Sequence, residues 1–288
     1  MLLQLLFVLV AIIIGARVGG IGLGILGGLG LAVLTFVFGL QPTAPPIDVM
    51  LMIVAVIAAA SCMQAAGGLD LMVKWAEKIL RKNPHHITLL SPFVTYFFTF
   101  FAGTGHVAYS VLPVIAEVAK DTGIRPERPL GIAVIASQQA ITASPISAAT
   151  VAMLSMLAGY NISLFDILKI SIPCTLAGVL LGALYSMKVG KELKDDPEYQ
   201  RRLAAGEISG DGYHTTEVAS HGKALTSVIL FLAATIGIVL FGSIDGLRPT
   251  FTTAQGEVQM EMSHIIEVLM LSAASLILLF TKTDGIKA

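Results

Sequence analysis

Long apolar runs, separated by short polar or charged stretches, dominate the pattern of hydrophobic and polar positions along this chain of 288 residues. A helix that crosses a membrane needs roughly 20 apolar residues, and several of the runs approach or exceed that length. The pattern predicts apolar helices at residues 2–16, 20–40, 47–66, 164–187, 223–242 and 264–281. We therefore expect an all-α, polytopic membrane protein.

The apolar region 87–119 differs from these runs because a polar tetrapeptide, Gly103-Thr104-Gly105-His106, divides it. Its two arms, 87–102 and 107–119, would extend roughly 24 Å and 20 Å as helices, which is less than a hydrocarbon core of about 30 Å. Glycine permits a tight turn. We expect a re-entrant helical hairpin whose tip stops inside the membrane, where irregular backbone must be buried in protein or line a watery cavity.

The apolar region 129–158 is too long for one straight span, and it is interrupted at Thr142-Ala143-Ser144-Pro145-Ile146-Ser147. Pro145 has no backbone N–H and would clash with a continuing helix. We expect one broken spanning helix, whose two half-helices meet near the middle of the membrane. The alternative is that Pro145 only kinks a continuous helix, with Ser144 and Ser147 bonded back to that helix.

The distribution of basic residues predicts the orientation of the chain. Sixteen of the eighteen Lys and Arg residues fall on one side if region 87–119 enters and leaves on that side and region 129–158 crosses once. By the positive-inside rule that side is the cytoplasm. The N-terminus is then periplasmic, and the polar segment 188–222 is a cytoplasmic linker.

Residues 70–82 have the pattern of an amphipathic helix. Leu71, Met72, Trp75 and Ile79 form the predicted apolar face, and cationic side chains lie opposite. We expect this helix to lie flat at the cytoplasmic surface of the membrane.

The composition agrees with a membrane protein and excludes several other classes. Apolar residues make up 55% of the chain and charged residues 13%, with a mean hydropathy of +0.83, whereas soluble domains contain about 25% charged residues. The net charge of −1 does not favour a nucleic-acid partner, and the partner implied is the lipid bilayer. The chain has neither a Walker A nor an H-E-x-x-H motif, and we predict no cofactor.

The polar residues at predicted mid-membrane depth are neutral and fall at the two interruptions. Half-helix N-termini carry partial positive charge and unpaired N–H donors, which can hold a carboxylate. Exposed carbonyl groups at such breaks can coordinate a small cation, although the sequence identifies no particular metal site. The candidate polar side chains are those of Thr104, His106, Ser137, Gln138, Gln139, Thr142, Ser144 and Ser147.

This pattern favours secondary transport, but other interpretations stay open at this point. His106 is almost as well explained as a packing histidine. An intramembrane enzyme that used Ser144 or His106 would need a base and an orienting partner within hydrogen-bond reach, and no acidic residue is placed to help. A membrane scaffold without transport activity is the third class. We predict a transporter and not an enzyme.

Several segments of the chain, taken together, resemble one family. They are "GARVGGIGLGILGG" (15–28), "QAAGGLD" (64–70), "EKILRKNP" (77–84), "FAGTGHVAYSVLPVIAEVA" (101–119), "IRPERPL" (124–130) and "ITASPISAA" (141–149). On these residues the chain resembles the anaerobic C4-dicarboxylate transporter (Dcu) family over essentially its whole length, and most closely the DcuB-type fumarate/succinate antiporter branch. The ordered combination of "GTGH", "RPERP" and "ASPIS" is specific, whereas none of the three is specific alone.

The resemblance implies a multi-pass carrier of the bacterial inner membrane with a fold of the ion-transporter superfamily. It would take up fumarate, malate or aspartate in exchange for succinate during anaerobic respiration, with Na⁺ or H⁺ as a candidate coupling cation. The family has an inverted repeat. Residues 1–187 would form the first membrane repeat, 188–222 the linker and 223–288 the start of the second repeat.

Members of the family are longer than this chain. We therefore expect a C-terminal truncation that removes the second hairpin, and a homodimer of such chains is one way to supply the missing half.

The resemblance also places substrate-binding residues at the hairpin tip and in the broken helix. We expect the hydroxyls of Thr104 and Ser144, with the backbone N–H of Gly105, to donate to a substrate carboxylate. His106 would bond the substrate or sense its protonation, because an imidazole titrates near neutral pH. The full predicted set is Gly103, Thr104, Gly105, His106, Gln138, Thr142, Ser144, Pro145 and Ser147.

Overall fold

The computed structural model describes residues 2–19, 21–45, 47–157, 160, 162–205, 220–244, 246–253 and 256–283, with the side chains of residues 106 and 155 excepted. The chain divides into two compact units, residues 1–46 and 47–288. This division by packing does not test the repeat boundaries that the sequence predicts, and each unit is described by itself.

The first unit is a pair of apolar helices, α1 (Leu2–Val18) and α2 (Gly22–Phe36). The two helices pack closely where one of them lacks a side chain. A Cβ atom on Gly15 would lie 2.8 Å from Leu23 Cδ1, so a glycine is needed for this approach. Most of the large apolar side chains of the pair are exposed, as expected of helices that face lipid.

The second unit contains the remaining elements. They are α3 (Ile47–Ala65), α4 (Gly68–Lys82), α5 (Ile87–Ala102), α6 (His106–Asp121), α7 (Glu127–Ala143), α8 (Ala148–Met156), α9 (Leu164–Ser186), α10 (Pro197–Ala204), α11 (His221–Ser243), β1 (Thr250–Thr253), β2 (Gly256–Gln259) and α12 (Met262–Thr281). Within the described residues, α3, α9, α11 and α12 are long and apolar enough to cross a membrane. The predicted helices are therefore confirmed to within a few residues at their ends.

A small antiparallel sheet corrects the all-α prediction. Strands β1 and β2 pair in the register Thr250↔Gln259 and Phe251↔Val258. Threonine, phenylalanine and valine favour strands, and the connection between α11 and α12 is too polar to continue either helix. The chain is thus mostly helical, with one exposed hairpin that the sequence analysis did not predict.

Helices α5 and α6 fold back on each other as a helical hairpin. Arg81, at the end of α4, forms ion pairs with Glu117 (2.8 Å) and Asp121 (3.7 Å) near the end of α6. Helix α5 begins only a few residues after Arg81, at Ile87. The start of α5 and the end of α6 therefore lie at the same end of the unit, which we call the charged end.

Two arginines attach the polar linker to the charged end. Arg128 is buried at the start of α7 and donates from Nε to Val189 O (2.6 Å), from Nη2 to Gly190 O (2.8 Å) and from Nη1 to Glu192 (2.7 Å). Arg125 pairs with Glu127 and with Asp196 (2.8 Å). The described beginning of the linker, which contains α10, is therefore folded against the protein and is not simply a solvated chain.

The amphipathic helix predicted at 70–82 is present as α4, but its buried face differs from the predicted one. Leu71, Met72, Ala76 and Leu80 are buried, whereas Trp75 and Ile79 are 37% and 47% exposed. Helix α4 packs on other helices of the unit, as its residue Gly68 shows. A Cβ atom there would lie 2.6 Å from Ser227 Oγ of α11.

Replacing Arg128 by alanine should loosen the linker. The change leaves two carbonyl groups and the Glu192 carboxylate without their donor, and we expect a loss of about 2–3 kcal/mol in the free energy of unfolding. Trypsin should then cut faster after Lys191 and Lys194. Thermal unfolding in detergent and the rate of limited proteolysis measure the two effects.

The matched control is Arg202→Ala, which breaks an exposed ion pair with Glu198 on α10. Such pairs contribute about 0–1 kcal/mol, so this variant should behave as wild type. Equal proteolysis rates for Arg128→Ala and wild type would contradict the role given to Arg128.

The linker contacts should also depend on pH. Hydrogen bonds from the backbone N–H of Tyr199 and Glu198 and from Arg125 lower the pKa of Asp196, and those from Arg201 and Arg202 lower the pKa of Glu198 to about 2. A carboxylate whose pKa is lowered in the folded state stabilises that state at pH values above its ordinary pKa of roughly 4. This stabilisation is lost as the pH falls towards the pKa of the folded state.

We therefore expect α10 to stay protected from hydrogen exchange between pH 7 and pH 5, and to lose protection only below about pH 4. Exchange measured by mass spectrometry and corrected for intrinsic rates is the test. Loss of protection between pH 7 and pH 5 would show that a different group controls the contact.

Candidate functional site

Three hydroxyl groups of α5, spaced by four residues, bind α5 to α7. In each contact the two residues are 38 positions apart in the chain, so α5 and α7 run in parallel in one register. We call these contacts the hydroxyl seam. They are Ser91 Oγ to Pro129 O (3.1 Å), Thr95 Oγ1 to Ala133 O (3.1 Å) and Thr99 Oγ1 to Ser137 Oγ (3.0 Å).

The hairpin tip, residues 103–105, lies directly against the broken helix. Gly103 ends α5 in a left-handed conformation (φ +68°). A Cβ atom on Gly103 would lie 2.7 Å from Ile146 Cγ1, and one on Gly105 would lie 3.3 Å from Gln138 Nε2. The structure thus brings the two interruptions of the sequence together, and glycine permits both the turn and the close approach.

The broken helix has the interruption that the sequence predicts. Helix α7 ends at Ala143 and α8 begins at Ala148, and residues 144–147 between them are called the break. Ser144 is extended (φ −75°, ψ 132°), and Pro145 after it cannot donate a backbone hydrogen bond. The alternative of a merely kinked, continuous helix does not describe this backbone.

Local hydrogen bonds hold the break in place. Ser147 Oγ accepts from Thr150 N (3.2 Å), which caps the start of α8, and it donates to Thr150 Oγ1 (3.1 Å). Thr150 Oγ1 in turn donates to Thr142 O (3.2 Å) across the break. The carbonyl at the end of α7 is therefore tied to the first turn of α8.

Two helix N-termini flank the contact between tip and break. Helix α6 begins at His106 after Gly105, which provides no side-chain cap, and α8 begins at Ala148. The first N–H groups of any helix lack intrahelical partners and carry partial positive charge. Within the described residues, Ser147 caps the N–H of Thr150, and the N–H groups of Ala148 and Ala149 are available to another acceptor.

The predicted site residues separate into an accessible set and a buried set. Gln138 and Thr142 are exposed, and Gly103, Thr104 and Gly105 are half-buried. Ser144, Pro145 and Ser147 are buried beneath the tip. The side chain of His106 lies outside the described residues, so its predicted role stays a prediction.

Two hydroxyls of the site already have local partners. Thr142 Oγ1 donates to Gln139 O (2.6 Å), and Ser147 is engaged by Thr150. Ser144 Oγ accepts only a long bond from Ile146 N (3.4 Å). Within the part of the chain that the structure describes, the Ser144 hydroxyl hydrogen has no acceptor, so this residue can still donate to a ligand.

The sequence analysis missed the residues that position this site. Thr99 was not singled out, and Ser137 was noted only as one of several polar residues. A signal was present, because Ser91, Thr95, Thr99 and Gly103 recur every four residues in an otherwise apolar helix. That spacing puts small polar residues on one helix face and indicates close contact with a neighbouring helix.

An apolar cavity of about 460 Å³ lies beside the site and not within it. Residues of α5, α9 and α11 line it, including Phe100 and Phe101 of α5. Among the described lining residues, Lys169 alone is charged. None of the predicted site residues whose side chains the structure describes lines this cavity, so it does not define the polar site.

The whole sequence is similar to one family of known proteins. The model of the family described as an anaerobic C4-dicarboxylate membrane transporter matches residues 1–288. C4-dicarboxylate transporter DcuA of Escherichia coli strain K12 is 46% identical over 285 residues, which cover 99% of this chain and 64% of the relative. No solved structure matches the chain.

Two further relatives give the same picture. Anaerobic C4-dicarboxylate transporter DcuB of Escherichia coli O157:H7 is 42% identical over 291 residues, 98% of this chain and 64% of the relative. C4-dicarboxylate transporter DcuA of Wolinella succinogenes is 46% identical over 281 residues, with the same coverage of 98% and 64%. These identities do not favour the DcuB-type branch over the DcuA type.

The chain therefore spans 64% of the length of these relatives. The family model, in contrast, matches it from residue 1 to residue 288, which gives no support to the predicted truncation.

Substituting alanine for Gly103 tests the contact between tip and break. The variant should lose about 1 kcal/mol for the left-handed backbone and roughly 1–3 kcal/mol more for overlap with Ile146. Gly123→Ala is the matched control, because Gly123 has φ +70° and nothing within 4 Å of its Cβ position.

Thermal unfolding in detergent should therefore show a clearly larger loss for Gly103→Ala than for Gly123→Ala. In an Ile146→Ala background the additional loss caused by Gly103→Ala should be smaller than in wild type, because the overlapping Cγ1 atom is absent. Equal losses for the two glycine variants would mean that the tip does not lie against the break.

Proposed function

Because the chain belongs to the DcuA/DcuB family of anaerobic C4-dicarboxylate membrane transporters, we propose that it is a secondary transporter of C4-dicarboxylates in the bacterial inner membrane. The proposed cycle takes up fumarate, malate or aspartate in exchange for succinate. The observation that carries the proposal is the contact of Gly103 and Gly105 with Ile146 and Gln138, which places two helix N-termini beside one polar break.

The chemistry of this arrangement suits a carboxylate. Two helix N-termini offer N–H donors and partial positive charge without a buried lysine or arginine, and the Gln138 amide adds a neutral donor beside Gly105. A dicarboxylate can leave such a site more easily than one with a fixed cation, because the attraction is weaker at the same distance. An exchanger needs this property, since it must release its substrate in every cycle.

We assign the roles as follows. The Gly105 N–H, Thr104 and Gln138 meet the substrate carboxylate first, because they are accessible at the tip. Ser144 is fully buried but retains a hydroxyl hydrogen for donation, so it contacts substrate only when the tip separates from the break. Ser147 supports the site through its cap on α8, and His106 bonds the substrate or senses its protonation.

The proposed membrane topology has α5 and α6 as a re-entrant hairpin and α7 with α8 as one crossing. Arg128 supports this topology, because it joins the start of α7 to residues just after the end of α9. Arg81, Arg125 and Arg128 lie at the charged end, and the positive-inside rule makes that end cytoplasmic. The linker is then cytoplasmic and the N-terminus periplasmic.

An inverted repeat would supply a second hairpin and a second break to bind the other carboxylate. In this proposal the second hairpin and the second break come from a second repeat, and a homodimer of chains is the alternative source. Carbonyl groups at the break would coordinate a coupling Na⁺, or a proton would take its place.

Counterflow in proteoliposomes tests the proposal. Vesicles that contain the protein and are preloaded with succinate should take up labelled fumarate faster than unloaded vesicles, because an exchanger requires a substrate on each side. Absence of this acceleration with folded protein would overturn the transport proposal and favour a scaffold.

Ser144→Ala tests the site. It should raise the apparent KM for fumarate by about fivefold, which is the effect of losing one hydrogen bond of roughly 1 kcal/mol. The control is Ser227→Ala, which removes another buried hydroxyl, bonded to Ala224 O in α11. Equal changes in KM and in yield of folded protein for both variants would show that Ser144 has only a structural role.

A further inference from the structure

We propose that the buried Thr99–Ser137 hydroxyl pair is the positioning element that sets the hairpin tip against the break and thereby sets substrate affinity. The inference rests on the proposed function. Thr99 and Ser137 do not contact the substrate themselves. They affect its binding by positioning the tip and Gln138.

The pair is connected to both sides of the site. The Thr99 carbonyl accepts from the N–H of Gly103 (2.9 Å), so Thr99 holds the residue that ends α5. Ser137 Oγ lies 3.6 Å from the Cβ position of Gly105, and Gln138 follows it in the chain. The hydrogen bond between Thr99 Oγ1 and Ser137 Oγ therefore lies one helical turn before the first residue of the tip and one residue before Gln138.

The pair differs from the other contacts of the hydroxyl seam. Ser91 and Thr95 donate to backbone carbonyl groups of α7. A side-chain substitution in α7 does not remove these acceptors. Thr99 and Ser137 bond through side chains on both helices, so a change on either side abolishes the contact. Both residues are almost completely buried, and without water a lost partner is not replaced.

The position of the pair explains why the effect should be local. Ser91 lies at the start of α5, and Thr99 lies two turns further along, about 12 Å away at about 1.5 Å per residue. Loss of the Ser91 contact weakens the seam at the charged end, far from the tip. Loss of the Thr99 contact frees the tip to shift relative to Ile146 and Gln138.

The test compares Thr99→Val and Ser137→Ala with Ser91→Ala as a matched control from the same seam. Each variant removes one buried hydrogen bond, so all three should lose similar stability in thermal unfolding. We expect Thr99→Val and Ser137→Ala to raise the apparent KM for fumarate in counterflow by about tenfold, with little change in maximal rate. Ser91→Ala should leave KM unchanged.

Two further variants separate positioning from general packing. Thr99→Ser keeps the hydroxyl and should restore the KM. The double variant Thr99→Val with Ser137→Ala should be no worse than either single variant, because both remove the same bond. A KM change in Ser91→Ala as large as that in Thr99→Val, or none in either, would overturn the inference.

A second measurement is independent of transport. Hydrogen exchange in peptides that contain residues 101–107 should be faster in Thr99→Val than in wild type and unchanged in Ser91→Ala. If wild type shows no counterflow but this difference is present, the proposed function fails and the positioning role stands. If counterflow is normal and exchange is the same in all variants, the positioning role is wrong and the proposed function stands.

Discussion

The backbone at residues 103–105 and 144–147 is not helical, although it lies inside an apolar unit. Backbone N–H and C=O groups that lose their helical partners at these positions need other hydrogen-bond partners within the protein. An unpaired backbone group in an apolar environment costs several kcal/mol. The structure meets this constraint with neighbouring residues, since Ser147 caps α8, Thr150 binds Thr142 O and Thr99 O binds the Gly103 N–H. Each interruption is thus stabilised by hydrogen bonds within its own segment, and the two segments meet where Gly103 lies against Ile146.

The sequence was sufficient to predict most helices and both interruptions, because apolar length and the positions of Gly and Pro are local properties. It was not sufficient for features that depend on which helices become neighbours. The buried face of α4 includes Ala76 and excludes Trp75, because α11 and not lipid covers it. The hairpin of β1 and β2 was missed because short exposed strands leave little apolar pattern.

The candidate site was likewise predictable from sequence only in its local features. Gly103, Ser144 and Ser147 could be chosen from sequence because they lie in the polar interruptions of two apolar regions. The difference between the two serines could not be predicted from sequence. The Ser147 hydroxyl donates a hydrogen bond to Thr150, whereas the Ser144 hydroxyl only accepts a long one from the N–H of Ile146. Positioning residues such as Thr99 are recognisable only when the register of α5 on α7 is known, and a constant offset of 38 residues is a tertiary property.

Arg128 lies in the first turn of α7, and the break follows the last residue of the same helix. A helix of 17 residues is stiff over its length of roughly 25 Å, so its two ends cannot move independently. The start of the linker and the polar break therefore both contact the same stiff helix, at its two ends. A displacement of residues 189–192 that keeps their hydrogen bonds to Arg128 would therefore also move the surface of α7 against which Gly105 lies.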